Sequence, residues 1–144
     1  MEVKTIFTDF IEVVGTVFSG KGEGEFYVNL YSKNIQRVLG LIPFPGTLNI
    51  RLEPNSARMI RELLSKPVYI IEPPIKGYGR VYAWPGFMKC IKVYVIRPEK
   101  TVYGLDVIEV IAKENLRELF GLKDGDLVKV LISLKEAASP RYCF

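Results

Sequence analysis

The chain has 144 residues, 49% of them hydrophobic, and a formal charge of +4. That is enough to build one domain around its own core without a metal or disulfide staple. It contains no histidine and only two cysteines, Cys90 and Cys143, outside any Cys-x-x-Cys pair, which excludes the usual Cys/His zinc site and any mechanism that needs a histidine base.

No apolar run approaches the roughly 20 residues of a membrane-spanning helix. The opening MEVKTIFTDF lacks the basic region and apolar core of a signal peptide. The expectation is a cytoplasmic protein with no membrane partner. A positive balance suits an anionic partner, but Lys and Arg are scattered and form no basic block, so nucleic acid is not the expected one. The whole of 1–144 is read as a single domain, with 136–144 as a loose tail.

In chain order, IEVVGTVFSG and EFYVNL are rich in β-branched and aromatic residues and predict strands on either side of a glycine stretch. SKNIQRVLG predicts a short helix, with Ser32 as N-cap and Gly40 just past its end. LIPFPGTLNIRL predicts a Pro-Gly turn leading into a strand. NSARMIRELLSK is the clearest helix, capped by Asn55 or Ser56, with Ala57, Ile60, Leu63 and Leu64 on one face and Pro67 beyond its end. VYIIE, GRVYAW, MKCIKVYVIR and DVIEVIA predict strands. ENLRELFGL predicts a short helix with Glu114 in its first turn. KDGD is a turn signal, and LVKVLISL alternates as a last strand. Six or more strands with two or three short helices, and no βαβ alternation, predict a mainly β barrel or sandwich. Cys90 reads as a small buried hydrophobe.

Three stretches carry candidate chemistry. GKGEG, Gly20 to Gly24, is either a hairpin turn or a backbone cradle for an anion, in which Lys21 adds a positive charge. It lacks the Gly-Lys-Ser/Thr ending of a Walker A loop, and no helix is expected after it to make a dinucleotide fingerprint. Within PFPGTLNI, Thr47 and Asn49 flank Leu48 and share one face of a strand. They are either polar residues facing water or two oxygen ligands for a magnesium ion whose shell nucleotide phosphates and water complete. Farther on, Thr101 and Glu109 flank a turn. Glu109 lies among Ile108, Val110 and Ile111, either as an outward strand position or as a contact for the polar edge of a flat, mostly apolar molecule. The helix start near Glu114 offers free N–H groups.

Together, GTVFSGKGEGEFYV, PFPGTLNIRLE and TVYGLDVIEVIAKENLRELFGLKDGDLVKV resemble the archaeal CTP-dependent riboflavin kinases, in the same order and over nearly the whole chain. The resemblance implies a six-stranded cradle-loop barrel that transfers the γ-phosphate of CTP to riboflavin, giving FMN and CDP. It implies that Gly20, Lys21, Gly22, Glu23, Gly24, Glu25 and Phe26 wrap the CTP phosphates. Glu114, Asn115, Leu116 and Arg117 would help bind the nucleotide. Thr47 and Asn49 would hold Mg²⁺. Thr101 and Glu109 would contact the flavin, with Glu109 able to orient the 5′-hydroxyl or take its proton.

A monomer is the expected state, without the N-terminal helix-turn-helix domain of some family members. Two departures stand out: Lys113 where the family often has proline, and Gly104-Leu105 between the tyrosine and the aspartate. Two other readings stay open. GLKDGDLVKV is also similar to the end of swapped-hairpin DNA-binding proteins, and a flavin-binding barrel without kinase activity would carry many of the same residues.

Overall fold

The computed structural model describes residues 10–136; the tail expected at 136–144 lies, past residue 136, outside the described residues. Seven strands and three helices alternate as β1 (Phe10–Phe18), α1 (Gly24–Leu39), β2 (Leu48–Leu52), α2 (Pro54–Leu64), β3 (Tyr69–Ile71), β4 (Val81–Met88), β5 (Ile91–Pro98), β6 (Val107–Ile111), α3 (Leu116–Phe120) and β7 (Leu127–Ser133). All pairings are antiparallel. The order β4-β5-β6-β2-β1-β7 returns to β4 and closes a six-stranded barrel, with β3 added outside on β4.

The closure depends on β4 changing partners along one edge. Its first residues, Val81 to Ala83, pair with β3, and Gly86 and Phe87 pair with β7. Pro85, which has no N–H to donate, sits between the two. A Cβ on Gly86 would lie 2.5 Å from the carbonyl oxygen of Leu131, so this crossing needs a residue without a side chain.

Opposed residues of an antiparallel pair point to the same side of the sheet. Val17, Ile50 and Ile108 form one such row, and Trp84, Val95 and Val110 another; all six are nearly solvent-free and fill the barrel interior. Ile60 and Leu63 of α2 and Leu116 of α3 join the same core. A second core lies outside the barrel. There Val28, Tyr31, Ile35 and Leu39 of α1 pack on Tyr94, Ile96, Ile111 and Ala83.

Several expectations change here. EFYVNL is not a strand: α1 starts at Gly24 and runs 16 residues, well before Ser32. Its β-like composition is overridden by the spacing of positions 28, 31, 35 and 39, which puts one apolar stripe on the outer face of the barrel. The glycine stretch is therefore the entry to a helix, not a hairpin turn. Gly40 does end α1, at φ +75° with its N–H on the Gln36 carbonyl. MKCIKVYVIR is not one strand. It breaks at Lys89 (φ +52°) and Cys90 into the β4–β5 hairpin, and Cys90 is exposed rather than buried. Glu114 precedes α3, whose N-cap is Asn115, the side chain accepting from the Glu118 N–H.

The N-terminus of α2 is tied to β1 beyond the reach of β2. The Val14 carbonyl accepts from the Glu53 N–H at 2.9 Å, and the Val14 N–H donates to Ser56 Oγ at 2.9 Å. Ser56 is buried. Removing its hydroxyl leaves that strand N–H without a partner, so Ser56→Ala should lower stability by about 1–3 kcal/mol. Urea unfolding with an unchanged slope and a lower midpoint is the expected result.

Candidate functional site

The site grows from one transverse row of side chains. Phe18 faces Asn49, Asn49 faces Glu109, Glu109 faces Ile96, and Ile96 faces Ala83. All point away from the barrel interior. The distal part of this outer face is apolar and covered by α1. At Asn49 and Glu109 it turns polar, where the cover opens into a cleft of about 220 Å³.

Four segments wall the cleft. Lys21 to Gly24 and the first turns of α1 form one side, and Thr47 and Asn49 the floor beside them. Tyr78 to Val81 and the β5–β6 loop with Thr101 and Tyr103 close the rest. Apolar and aromatic surface dominates, including Tyr27, Tyr31, Ile96 and Val102, while Lys21, Arg80 and Lys100 bring positive charge.

The glycine stretch reaches the floor because side chains are missing from it. A Cβ on Gly24 would lie 2.7 Å from Thr47 Oγ1, and one on Gly20 would collide with Asn49 Nδ2 and Tyr103 Oη. Gly22 has φ +79°, a conformation in which glycine is at no disadvantage. The N-cap Glu23 makes no side-chain capping bond, so the first N–H groups of α1 remain available beside Thr47. A helix start of this kind favours negative charge.

Thr47 Oγ1 donates to Asn49 Oδ1 at 3.1 Å, which brings two neutral oxygens together on the floor. Asn49 is only 8% exposed, against the water-facing position that its strand alternation allowed. Glu109, half-buried beside it, is pushed up to about 7. Loss of solvent is the main cause, and the Arg97 guanidinium pulls in the opposite direction. Arg97 also donates to the carbonyls of Gly104 at 2.9 Å and Tyr103 at 3.1 Å, and so fixes the loop that carries Thr101. Thr101 Oγ1 accepts from the Tyr103 N–H. Lys100 Nζ reaches the Gly77 carbonyl at 2.7 Å, and Tyr31 Oη donates to the Gly79 carbonyl at 2.6 Å, which ties the far wall to the loop and to α1.

Of the residues singled out from sequence, Lys21, Gly22, Glu23, Gly24, Thr47, Asn49, Thr101 and Glu109 meet in this cleft. Gly20 abuts it through Asn49 and Tyr103. Glu25 and Phe26 are exposed and do not line it. Glu114 to Arg117 do not line it either. Asn115 caps α3, Leu116 is in the core, and Arg117 donates to Asp124 at 2.7 Å and to the Phe18 carbonyl at 3.2 Å. This last bond anchors the end of β1 where the glycine stretch begins. Among the described residues no group of three or more His, Cys, Asp or Glu could hold a metal, so any ion here would depend on neutral oxygens and on a ligand's own.

Residues 17–132 match the family CTP-dep_RFKase, described as a domain of unknown function, DUF120. The riboflavin kinase of Staphylothermus marinus is 42% identical over 122 residues, covering 85% of this chain and 92% of that protein. That of Aeropyrum pernix is 41% identical over 119 residues, 80% of this chain and 90% of the relative. The chain belongs to the CTP-dependent riboflavin kinase family. The riboflavin kinase of Pyrobaculum islandicum is 43% identical over 130 residues, but the match spans only 62% of that longer protein.

Sequence reasoning missed Tyr27, Tyr31, Tyr78, Arg80, Lys100 and Tyr103 as walls of this family's cleft. Tyr27 and Tyr31 stand one helical turn apart, a signal visible only once α1 is seen to begin at Gly24. Tyr78 and Arg80 sit in GYGR, where glycines on both sides of a tyrosine hinted at more than a turn.

The position of Glu109 sets a pH dependence for the metal-free protein. Its folded pKa lies above its ordinary 4.5, so the folded state holds the proton more tightly than the unfolded state. The stability this supplies is complete below about pH 4.5 and is lost as pH rises through about 7. Relative to Glu109→Gln, the urea midpoint of the wild type should therefore fall across that window and level off above it. A constant difference between the two proteins would contradict the desolvated carboxyl.

Proposed function

We propose that the protein is a riboflavin kinase that transfers the γ-phosphoryl group of CTP to the 5′-hydroxyl of riboflavin, releasing FMN and CDP. The reading is supported most by one juxtaposition: a helix start entered through glycines, a Thr–Asn oxygen pair and an aromatic-walled slot share one cleft. Phosphoryl transfer asks for in-line placement and neutralised oxygens, and little covalent chemistry from the protein.

In this reading the backbone of Gly20 to Gly24 and the N–H groups opening α1 receive the nucleotide's phosphates, with Lys21 beside them. Thr47 Oγ1 and Asn49 Oδ1 fit Mg²⁺ as neutral oxygen ligands, since this hard cation takes few protein groups and keeps water and phosphate oxygens for the rest. Bound there, Mg²⁺ would neutralise charge on the phosphates. The flat flavin lies against Tyr27, Tyr31, Ile96 and Val102, with Thr101 and Glu109 at its polar side. Glu109 faces Asn49 across the β2–β6 pairing. It is thus placed to orient the riboflavin 5′-hydroxyl, and its raised pKa suits an acceptor of that proton near neutrality. Arg117 acts indirectly, by holding Phe18 and Asp124 next to the glycine stretch. In this reading a monomer suffices, because the lining residues named above all belong to one chain.

Incubation with riboflavin, Mg²⁺ and, in turn, CTP, ATP, GTP or UTP tests this directly by chromatography of FMN. FMN should form with CTP well above the others. No FMN with any donor would sink the kinase reading, and preference for another donor would sink the choice of CTP. Asn49→Ala should reduce turnover by a factor of about 10² or more at limiting Mg²⁺ while the protein stays folded, because one metal ligand is lost. Gly22→Val should weaken CTP far more than riboflavin in separate calorimetric titrations, since a β-branched side chain resists φ +79°. Equal weakening of both ligands would instead indicate a general disturbance of the fold.

A further inference from the structure

The β5–β6 loop supplies Thr101, Val102 and Tyr103 to the cleft, yet its local bonds hold mainly its ends. The Thr101 N–H donates to the Pro98 carbonyl at 3.1 Å, and the Val107 N–H to the Gly104 carbonyl at 3.3 Å. The far end is pinned again at Asp106, whose carboxylate meets Arg51 at 3.1 Å and whose carbonyl accepts from the Leu52 N–H at 2.7 Å. Between these ends Val102 is 71% exposed. A short loop that shows an apolar side chain to solvent gains little order from burial.

Arg97, at the end of β5, supplies the missing hold. Its Nη1 donates to the Gly104 carbonyl at 2.9 Å and its Nη2 to the Tyr103 carbonyl at 3.1 Å. A planar fork on two consecutive carbonyls fixes the direction of the chain as well as its distance, which the single ammonium of a lysine does not. Gly104 suits this turn. A Cβ there would stand 3.2 Å from Asp106 Oδ1, so the bare backbone lets the apex stay tight at one of the two residues where the loop departs from its family. Arg97 does not itself line the cleft. The Tyr103 ring has a second hold, edge-on against Phe18 with centroids 5.8 Å apart, so the wall beside the glycine stretch does not depend on Arg97 alone.

We propose that Arg97 is a positioning residue for riboflavin: by holding the Tyr103 and Gly104 carbonyls it sets Thr101 and Val102 in place as the flavin's wall before the flavin arrives. The inference rests on the kinase reading for the identity of the ligand. A wall ordered in advance spares the ligand the cost of ordering it, so the effect falls on riboflavin affinity. Arg97 also brings positive charge toward Glu109, and the test must separate that charge from the fork.

Two variants do so. Arg97→Lys keeps the charge and gives up the fork, and Arg97→Met gives up both. Hydrogen exchange in the ligand-free protein reads the loop directly. The Tyr103 and Val107 amides, bonded to Thr101 Oγ1 and the Gly104 carbonyl, should exchange about 10-fold faster in both variants. Riboflavin, titrated by its fluorescence, should bind both about 10-fold more weakly. CTP with Mg²⁺ should stay within about twofold of wild type by calorimetry. In the FMN assay Arg97→Lys should raise KM for riboflavin about 10-fold and keep kcat within about threefold. Wild-type riboflavin affinity in Arg97→Lys would reduce the role to charge, and equal losses of riboflavin and CTP would reduce it to general stability. Either result overturns the inference, as does unchanged exchange in both variants. The two readings fail differently. Wild type that binds riboflavin but makes no FMN with any donor sinks the kinase and leaves the role of Arg97 to the binding data, whereas wild type that binds no riboflavin sinks both.

Discussion

A closed barrel of six short strands has room inside only for its own side chains, so whatever this fold binds must be held outside it. Val17, Ile50, Trp84, Val95, Val110 and Ile132 occupy that interior with almost no solvent contact. The rest of the architecture follows from this. Helices α2 and α3 contribute Ile60, Leu63 and Leu116 to the filled interior. Among the described helices α1 makes the second layer, and the cleft lies between that layer and the barrel wall.

Register carries the constraint into chemistry. Asn49 faces Phe18 on one neighbour and Glu109 on the other. A slip of one residue at either pairing would exchange these polar side chains with Leu48, Ile50, Ile108 or Val110. It would bury a carboxylate in the barrel and put an aliphatic group in the cleft, and both changes are unfavourable. The apolar interior therefore enforces the alignment that the polar site needs. Folding stability and site geometry depend on the same hydrogen-bonded ladder.

The strands were legible because alternation and turn residues carry most of the information for an antiparallel barrel. LVKVLISL and DVIEVIA fall almost where their patterns put them, at β7 and β6. What composition hid was α1. Phe26, Tyr27 and Val28 favour strands locally, and only burial against the barrel makes them helical. Misreading that one segment also hid Tyr27 and Tyr31 and made the glycine stretch look like a turn. The Thr47–Asn49 pair was readable from spacing alone, since alternate strand residues share a face. The Arg97 contacts with the β5–β6 loop and the convergence on Gly20 were not, because they join residues far apart in sequence that only the closed barrel brings together. The resemblance supplied the rest, and the family relationship rests on the comparison with relatives, not on composition or charge.

Helix α1 is held in two unlike ways, and the difference defines the working end of the cleft. Far from the cleft, aromatic hydroxyls and apolar contacts fix it: Tyr94 Oη donates to the Leu39 carbonyl at 3.2 Å, and Ile35 and Leu39 are buried. Near the cleft it is fixed by close backbone approach, with Gly24 set against Thr47. Its first turns are only partly covered: Phe26 and Tyr27 are exposed, while Val28 is buried against the barrel wall. A sequence selected for stability alone would place an aliphatic residue at Asn49 and another at Glu109, whose carboxyl is desolvated there. Both keep a polar side chain where the alternation of the strand would accept an apolar one. Departures of this kind concentrate where a protein binds something, and here they lie together on one wall, under the first turn of one helix.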